Sequence, residues 1–66
     1  MKFRIVIYDY VVNSEVSFEG DLASVFNYLD QYSTVVYTIG EINRAVIEGV
    51  AIPVSNSSTA TITRLV

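Results

Sequence analysis

Residues 2–12, KFRIVIYDYVV, constrain the fold more than any other stretch. They contain no Gly or Pro and are dense in β-branched and aromatic side chains, so they predict a long strand. Period two assigns Phe3, Ile5, Ile7 and Val11 to one face, interrupted by Asp9. Lys2, Arg4, Val6, Tyr8, Tyr10 and Val12 fall on the other. The first is the better core face. The second mixes bases with amphipathic side chains and is expected to be half-exposed or covered by a partner.

Asn13-Ser14-Glu15 follows as turn chemistry, because Asn and Ser bond locally to backbone. Residues 15–19 return as a second strand, with Val16 and Phe18 toward the core and Glu15, Ser17 and Glu19 toward water. Gly20 ends it. Asp21 is a helix N-cap, since its carboxylate can accept from the free amides of the first turn. Leu22, Val25, Phe26 and Leu29 then recur at helical spacing, which predicts a helix to about Gln31 with Tyr28 and Tyr32 on its flank.

Residues 33–39, STVVYTI, read as a third strand. Residues 40–49 carry two patterns. Ile42, Ala45 and Val46 have helical spacing, Thr38 and Glu41 have capping-box spacing, and Gly49 can stop a helix. Ala45 and Ile47 also tolerate a strand; the short helix is favoured. Residues 50–54 suggest a strand at an edge or an end, because Pro53 lacks a ladder donor. The last strand, 59–66, directs Ala60, Ile62 and Val66 inward, Thr59, Thr61 and Thr63 outward, and Arg64 to the rim. The expectation is one α+β domain spanning 1–66: a mainly antiparallel sheet with an N-terminal hairpin, one helix on one face, and a second short helix in the favoured alternative.

A chain of 66 residues buries only about 60% of the surface its unfolded form exposes. It has no Cys and no His, which excludes disulfides and ordinary zinc sites. Support must come from the core, a second copy or a partner. The 52% hydrophobic content is ample for a core and leaves apolar surface for binding. No apolar run reaches the roughly 18–20 residues of a membrane span, and no signal-peptide pattern follows Met1. The expectation is a soluble cytoplasmic protein with no membrane partner.

The same composition bears on chemistry. Without His or Cys, and with Lys2 the only lysine, general-base and nucleophile arrangements are scarce. Glu15 and Glu19 lie roughly 13 Å apart along an extended strand, beyond the separation of glycosidase carboxylate pairs. No acidic metal loop and no glycine-rich phosphate loop appears. A non-enzyme without cofactor or metal is expected.

Charge distribution narrows the partner. From Asp9 to Glu41 there are six acids (Asp9, Glu15, Glu19, Asp21, Asp30 and Glu41) and no base, while the rest of the chain sets four bases against Glu48. The two parts, −6 and +3, give the net charge of −3. This argues against direct nucleic-acid binding, which needs clustered bases. It suits a basic protein surface, or else a solvated acidic face kept for solubility. Five tyrosines, at 8, 10, 28, 32 and 37, add a residue type favoured at interfaces. The expected partner-binding residues are Tyr8, Tyr10, Ser14, Glu15, Ser17, Glu19 and Asp21. For Glu15 and Glu19 the plain alternative is protection of a sheet edge by charge.

A short, acidic α+β chain without cysteine resembles, in size, charge and element order, the small inhibitors encoded by bacteriophages. Some of these imitate DNA charge, including the uracil-DNA glycosylase inhibitors. The resemblance implies an inhibitor that occludes a basic, nucleic-acid-binding cleft of another protein, with residues 13–21 beside helix 22–31 as the imitating segment. The alternative is an assembly protein that homo-oligomerises through the Tyr8 and Tyr10 sheet face or through edge strands.

Overall fold

The structure, a computed structural model, describes residues 1–66. Its elements run β1 (Phe3–Asp9), β2 (Ser14–Gly20), α1 (Leu22–Tyr32), α2 (Ile39–Glu48), β3 (Ile52–Ser55) and β4 (Ser58–Arg64). The strands form one antiparallel sheet in the order β2-β1-β4-β3. This is the α+β architecture the sequence predicts, with the second helix present.

The β1–β2 hairpin closes through Asp9, whose Oδ1 accepts from the Val11 and Val12 amides. Asn13 takes the left-handed φ of 54° that Asn tolerates at a turn. The first strand is therefore shorter than expected: Tyr10, Val11 and Val12 belong to the turn, and Val11 is exposed rather than in the core. The local carboxylate bonds of Asp9 outcompete continuation of a ladder.

Asp21 caps α1, accepting from the Ser24 amide at 2.8 Å. A complete capping box opens α2, where Thr38 Oγ1 accepts from the Glu41 amide and the Glu41 carboxylate accepts from the Thr38 amide. Gly49 ends α2 at φ +68°, donating to Ala45 and Val46 carbonyls. The helical reading of residues 40–49 is correct.

The expected strand at 33–39 is absent. This segment follows the outer side of β3 but makes one backbone bond to it, Thr34 N–H to Val54 O at 2.9 Å. Ser33 Oγ instead bonds Val35 at both its amide and its carbonyl. Thr38 then commits the chain to α2. Val36 is left 89% exposed despite its β propensity, so local hydroxyl bonding and helix capping override that preference.

Both helices lie on one side of the sheet. Ile5, Ile7 and Phe3 of β1, Ala60 and Ile62 of β4 and Val54 of β3 meet Val25 and Leu29 of α1 and Ile42 of α2 in one cluster. Phe18, Leu22, Phe26, Tyr28, Tyr37, Val46 and Ile52 pack around it. Phe18 stacks on Tyr28 with ring centroids 4.9 Å apart. Val16, on the same side but beyond the helices, remains 39% exposed, so it edges the core rather than filling it. Val66 is exposed because β4 ends at Arg64.

Candidate functional site

Helices on one side leave the other face of the sheet uncovered. The antiparallel register fills that face row by row. Thr63, Arg4 and Glu19 form the first row, Thr61, Val6 and Ser17 the second, and Thr59, Tyr8 and Glu15 the third. The result is a hydroxyl-rich surface with Arg4 and Tyr8 as its largest side chains and Val6 between them. Four expected partner-binding residues (Tyr8, Glu15, Ser17 and Glu19) meet here.

The other three do not. Ser14 points to the helix side, where it lines a cavity of about 260 Å³ with Ile7, Asp9, Val16, Tyr32, Ser55 and Ser58. Parity explains this: Ser14 lies opposite Asp9, whose side chain faces the core side. Tyr10 sits in the hairpin turn and donates from its hydroxyl to Asn56 O at 2.6 Å. Asp21 is occupied as the cap of α1. The bond from the Ser24 amide holds its carboxyl below the usual carboxylate range.

The base-free acidic block is less acidic in space than along the chain. Glu19 Oε2 accepts from Arg4 at 2.9 and 2.7 Å, and Lys2 Nζ lies 3.3 Å from Oε1. Pairing β1 with β2 thus brings two bases from outside the block onto it. Arg4 first, then Lys2, hold the Glu19 carboxyl below its ordinary value. Asp9 is bound in the turn and also accepts from Ser57 Oγ. Thr38 backbone bonding lowers Glu41. Of the six acids, only Glu15 and Asp30 make no ion pair or side-chain hydrogen bond. Glu15 is on the uncovered face, and Asp30 is exposed on α1, which packs on the opposite face.

Arg4, Val6, Thr59, Thr61 and Thr63 also belong to this surface, as does Pro53 opposite Thr59, and none was among the expected site residues. The alternation Thr59, Thr61, Thr63 signals a wet strand face, but strand order decides that it continues the Tyr8 face. Tyr8 itself donates to Asn13 Oδ1 at 2.5 Å, which holds its ring near the hairpin end of the face. No three His, Cys, Asp or Glu side chains gather as metal ligands, and no helix is long and apolar enough to cross a membrane. No protein-family model matches the chain, and comparisons with curated proteins and with solved structures likewise return no match.

Proposed function

We propose that this chain is a small non-enzymatic protein-binding module whose working surface is the sheet face that no helix covers. The observation that carries this is the one-sided packing: the buried apolar strand side chains form one cluster with Val25, Leu29 and Ile42 of the helices, while Val6, Tyr8, Glu15, Ser17 and the three threonines have no layer above them. Tyr8 supplies a rigid amphipathic anchor and the hydroxyls supply adaptable hydrogen bonds. The partner is a protein with a basic group opposite Glu15, favoured also by the net charge of −3.

The finer reading is an inhibitor that occludes a basic, nucleic-acid-binding cleft, in the manner of phage-type DNA mimics. Its support is Glu15 together with the overall acidity. Because Glu19 is paired with Arg4 and Lys2, the face offers one free acid rather than a DNA-like row. Recognition therefore rests on one charge with aromatic and hydroxyl neighbours.

Affinity capture with quantitative mass spectrometry tests the module reading. The wild type is compared with Tyr8→Ala/Thr61→Lys on the uncovered face and with Asp30→Lys on the helix side. A partner retained by Asp30→Lys and lost by the face variant supports the assignment. A partner lost by Asp30→Lys and retained by the face variant overturns it.

A further inference from the structure

The two edges of the sheet are built differently. At the β3 edge, Pro53 has no N–H, the Val54 carbonyl accepts from Thr34, and the Pro53 carbonyl accepts from the Tyr37 hydroxyl. Residues 34–37 cover that edge. Nothing covers β2. The register fixes which of its backbone groups are free. Between β1 and β4, Leu65 donates to Lys2 and Tyr10 donates to Ser57, so the even residues of β1 bond toward β4. The odd residues of β1 bond toward β2, where they lie opposite Ser14, Val16, Phe18 and Gly20. The amides and carbonyls of Glu15, Ser17 and Glu19 therefore point away from the sheet. All three residues are exposed, and none of their amides has a partner within the chain.

We propose that β2 receives an extended segment of another protein by strand addition, with Glu15, Ser17 and Glu19 supplying the backbone hydrogen bonds and Glu15 selecting a Lys or Arg on the incoming strand. This deepens the module reading above and rests on it for the kind of partner. Strand addition is a general recognition mode in which main-chain bonds give affinity and alternate side chains give specificity. Here the alternate side chains belong to the uncovered face, so the incoming strand extends that face by one strand and lengthens the row Thr59, Tyr8, Glu15.

Charge chooses between a foreign strand and a second copy. Antiparallel pairing of β2 with itself must align outward-bonding residues with one another. The register that uses all three centres on Ser17 and sets Glu15 opposite Glu19 of the other copy. Arg4 and Lys2 reduce the like-charge repulsion in that register without giving Glu15 a base of its own, whereas a strand bearing Lys or Arg opposite Glu15 adds a direct opposite-charge pair. A segment with a base opposite Glu15 meets an unpaired carboxylate, and opposite Glu19 it meets an acid already satisfied by Arg4 and Lys2.

Amide hydrogen exchange by NMR tests this, using as probe a short acetylated and amidated peptide of alternating lysine and threonine. Controls are the alternating glutamate–threonine peptide and the lysine peptide N-methylated at its inward-facing amides. Protection of the Glu15, Ser17 and Glu19 amides by at least about tenfold is expected with the first peptide alone. Ser17→Pro removes an outward amide without touching the β1 ladder, so the fold should survive and the protection should vanish. Glu15→Lys should weaken the peptide about tenfold while leaving the free protein folded. Absence of binding at millimolar peptide overturns strand addition. Binding that perturbs Tyr8 and Thr61 without protecting the three amides also overturns it, while leaving the module reading standing. Protection in the peptide-free protein together with a dimer mass overturns the choice of a foreign strand.

Discussion

Gly40, in the first turn of α2, and Gly49, the cap just past its end, should change stability in opposite directions when replaced by alanine. Gly49 ends the helix at φ +68°, and a Cβ there would meet nothing within 4 Å. The cost of Gly49→Ala is therefore conformational, without a steric contribution. The left-handed conformation costs an L-residue roughly 1–2 kcal/mol. Restricting the unfolded chain returns about 0.4–1 kcal/mol. The net loss is about 1 kcal/mol. Gly40 lies in the first turn of α2 with no positive φ, and its Cβ would stand 3.9 Å from Thr38 Oγ1, an ordinary contact. Gly40→Ala should gain about 0.5–1 kcal/mol from helix propensity and unfolded-state entropy. For a chain of this length a kilocalorie shifts the melting temperature by roughly 4–8 °C. Thermal unfolding followed by circular dichroism should place Gly49→Ala below the wild type by about that amount and Gly40→Ala above it. Gly49→Asn should fall between Gly49→Ala and the wild type, since Asn tolerates the left-handed region better. Equal shifts in the same direction for the two alanine variants would refute the left-handed termination of α2.

Acid should destabilise the protein through three carboxylates. Glu19, Asp21 and Glu41 all have folded values lowered below the unfolded ones, so their contribution is fully present above the ordinary carboxylate pKa of about 4 and is lost as pH falls through the folded values. Denaturant midpoints measured across the acid range should fall with pH in the wild type, and fall less steeply in Glu19→Gln and Asp21→Asn. Ile42→Ala should cost about 2–5 kcal/mol, because Ile42 is fully buried in a cluster of only nine side chains. Set against a total stability of roughly 3–10 kcal/mol for a chain this size, that loss should leave a substantial unfolded population at room temperature, read by one-dimensional NMR.

What could be read from the chain was whatever is encoded locally. The Asp21 cap, the Thr38–Glu41 box, the Gly49 stop and the alternation of Phe3, Ile5 and Ile7 each rest on spacings of a few residues, and each appears as expected. Misreadings arose where two local preferences compete. Val35 and Val36 favour a strand, yet Ser33 and Thr38 divert the backbone around them. Asp9 similarly ends β1 before Tyr10 and Val11. The site was half legible for a different reason. Which residues share the Tyr8 face follows from period two along each strand, but that Thr59, Thr61 and Thr63 adjoin it depends on β4 lying beside β1, a contact across some fifty residues of chain. No local pattern carries that pairing. The same holds for Glu19: the nearest charged residues along the chain are the acids Glu15 and Asp21, and its charged neighbours in space are Lys2 and Arg4.

That contrast between chain and space makes the electrostatics of the uncovered face open to a direct experiment. Replacing Lys2 and Arg4 by Gln removes two positive charges and takes the net charge from −3 to −5. Both bases are about half exposed, as is the ion pair they form, so the fold should be little affected. Glu19, however, loses the bonds that hold its carboxyl low, and its titration, followed by NMR of the side-chain carboxyl carbon, should move up toward the ordinary range. The uncovered face would then present two free acids, Glu15 and Glu19, on either side of Ser17 along the open edge. If charge on this face selects a basic strand, the double variant should bind the lysine–threonine peptide several-fold more tightly than the wild type, with the gain shrinking as salt is raised. An unchanged Glu19 titration would mean that the ion pair does not hold its carboxyl in solution. Weaker binding, with the Glu19 shift present, would mean that Lys2 and Arg4 are themselves part of the recognition surface, and the incoming strand would have to carry an acid opposite them.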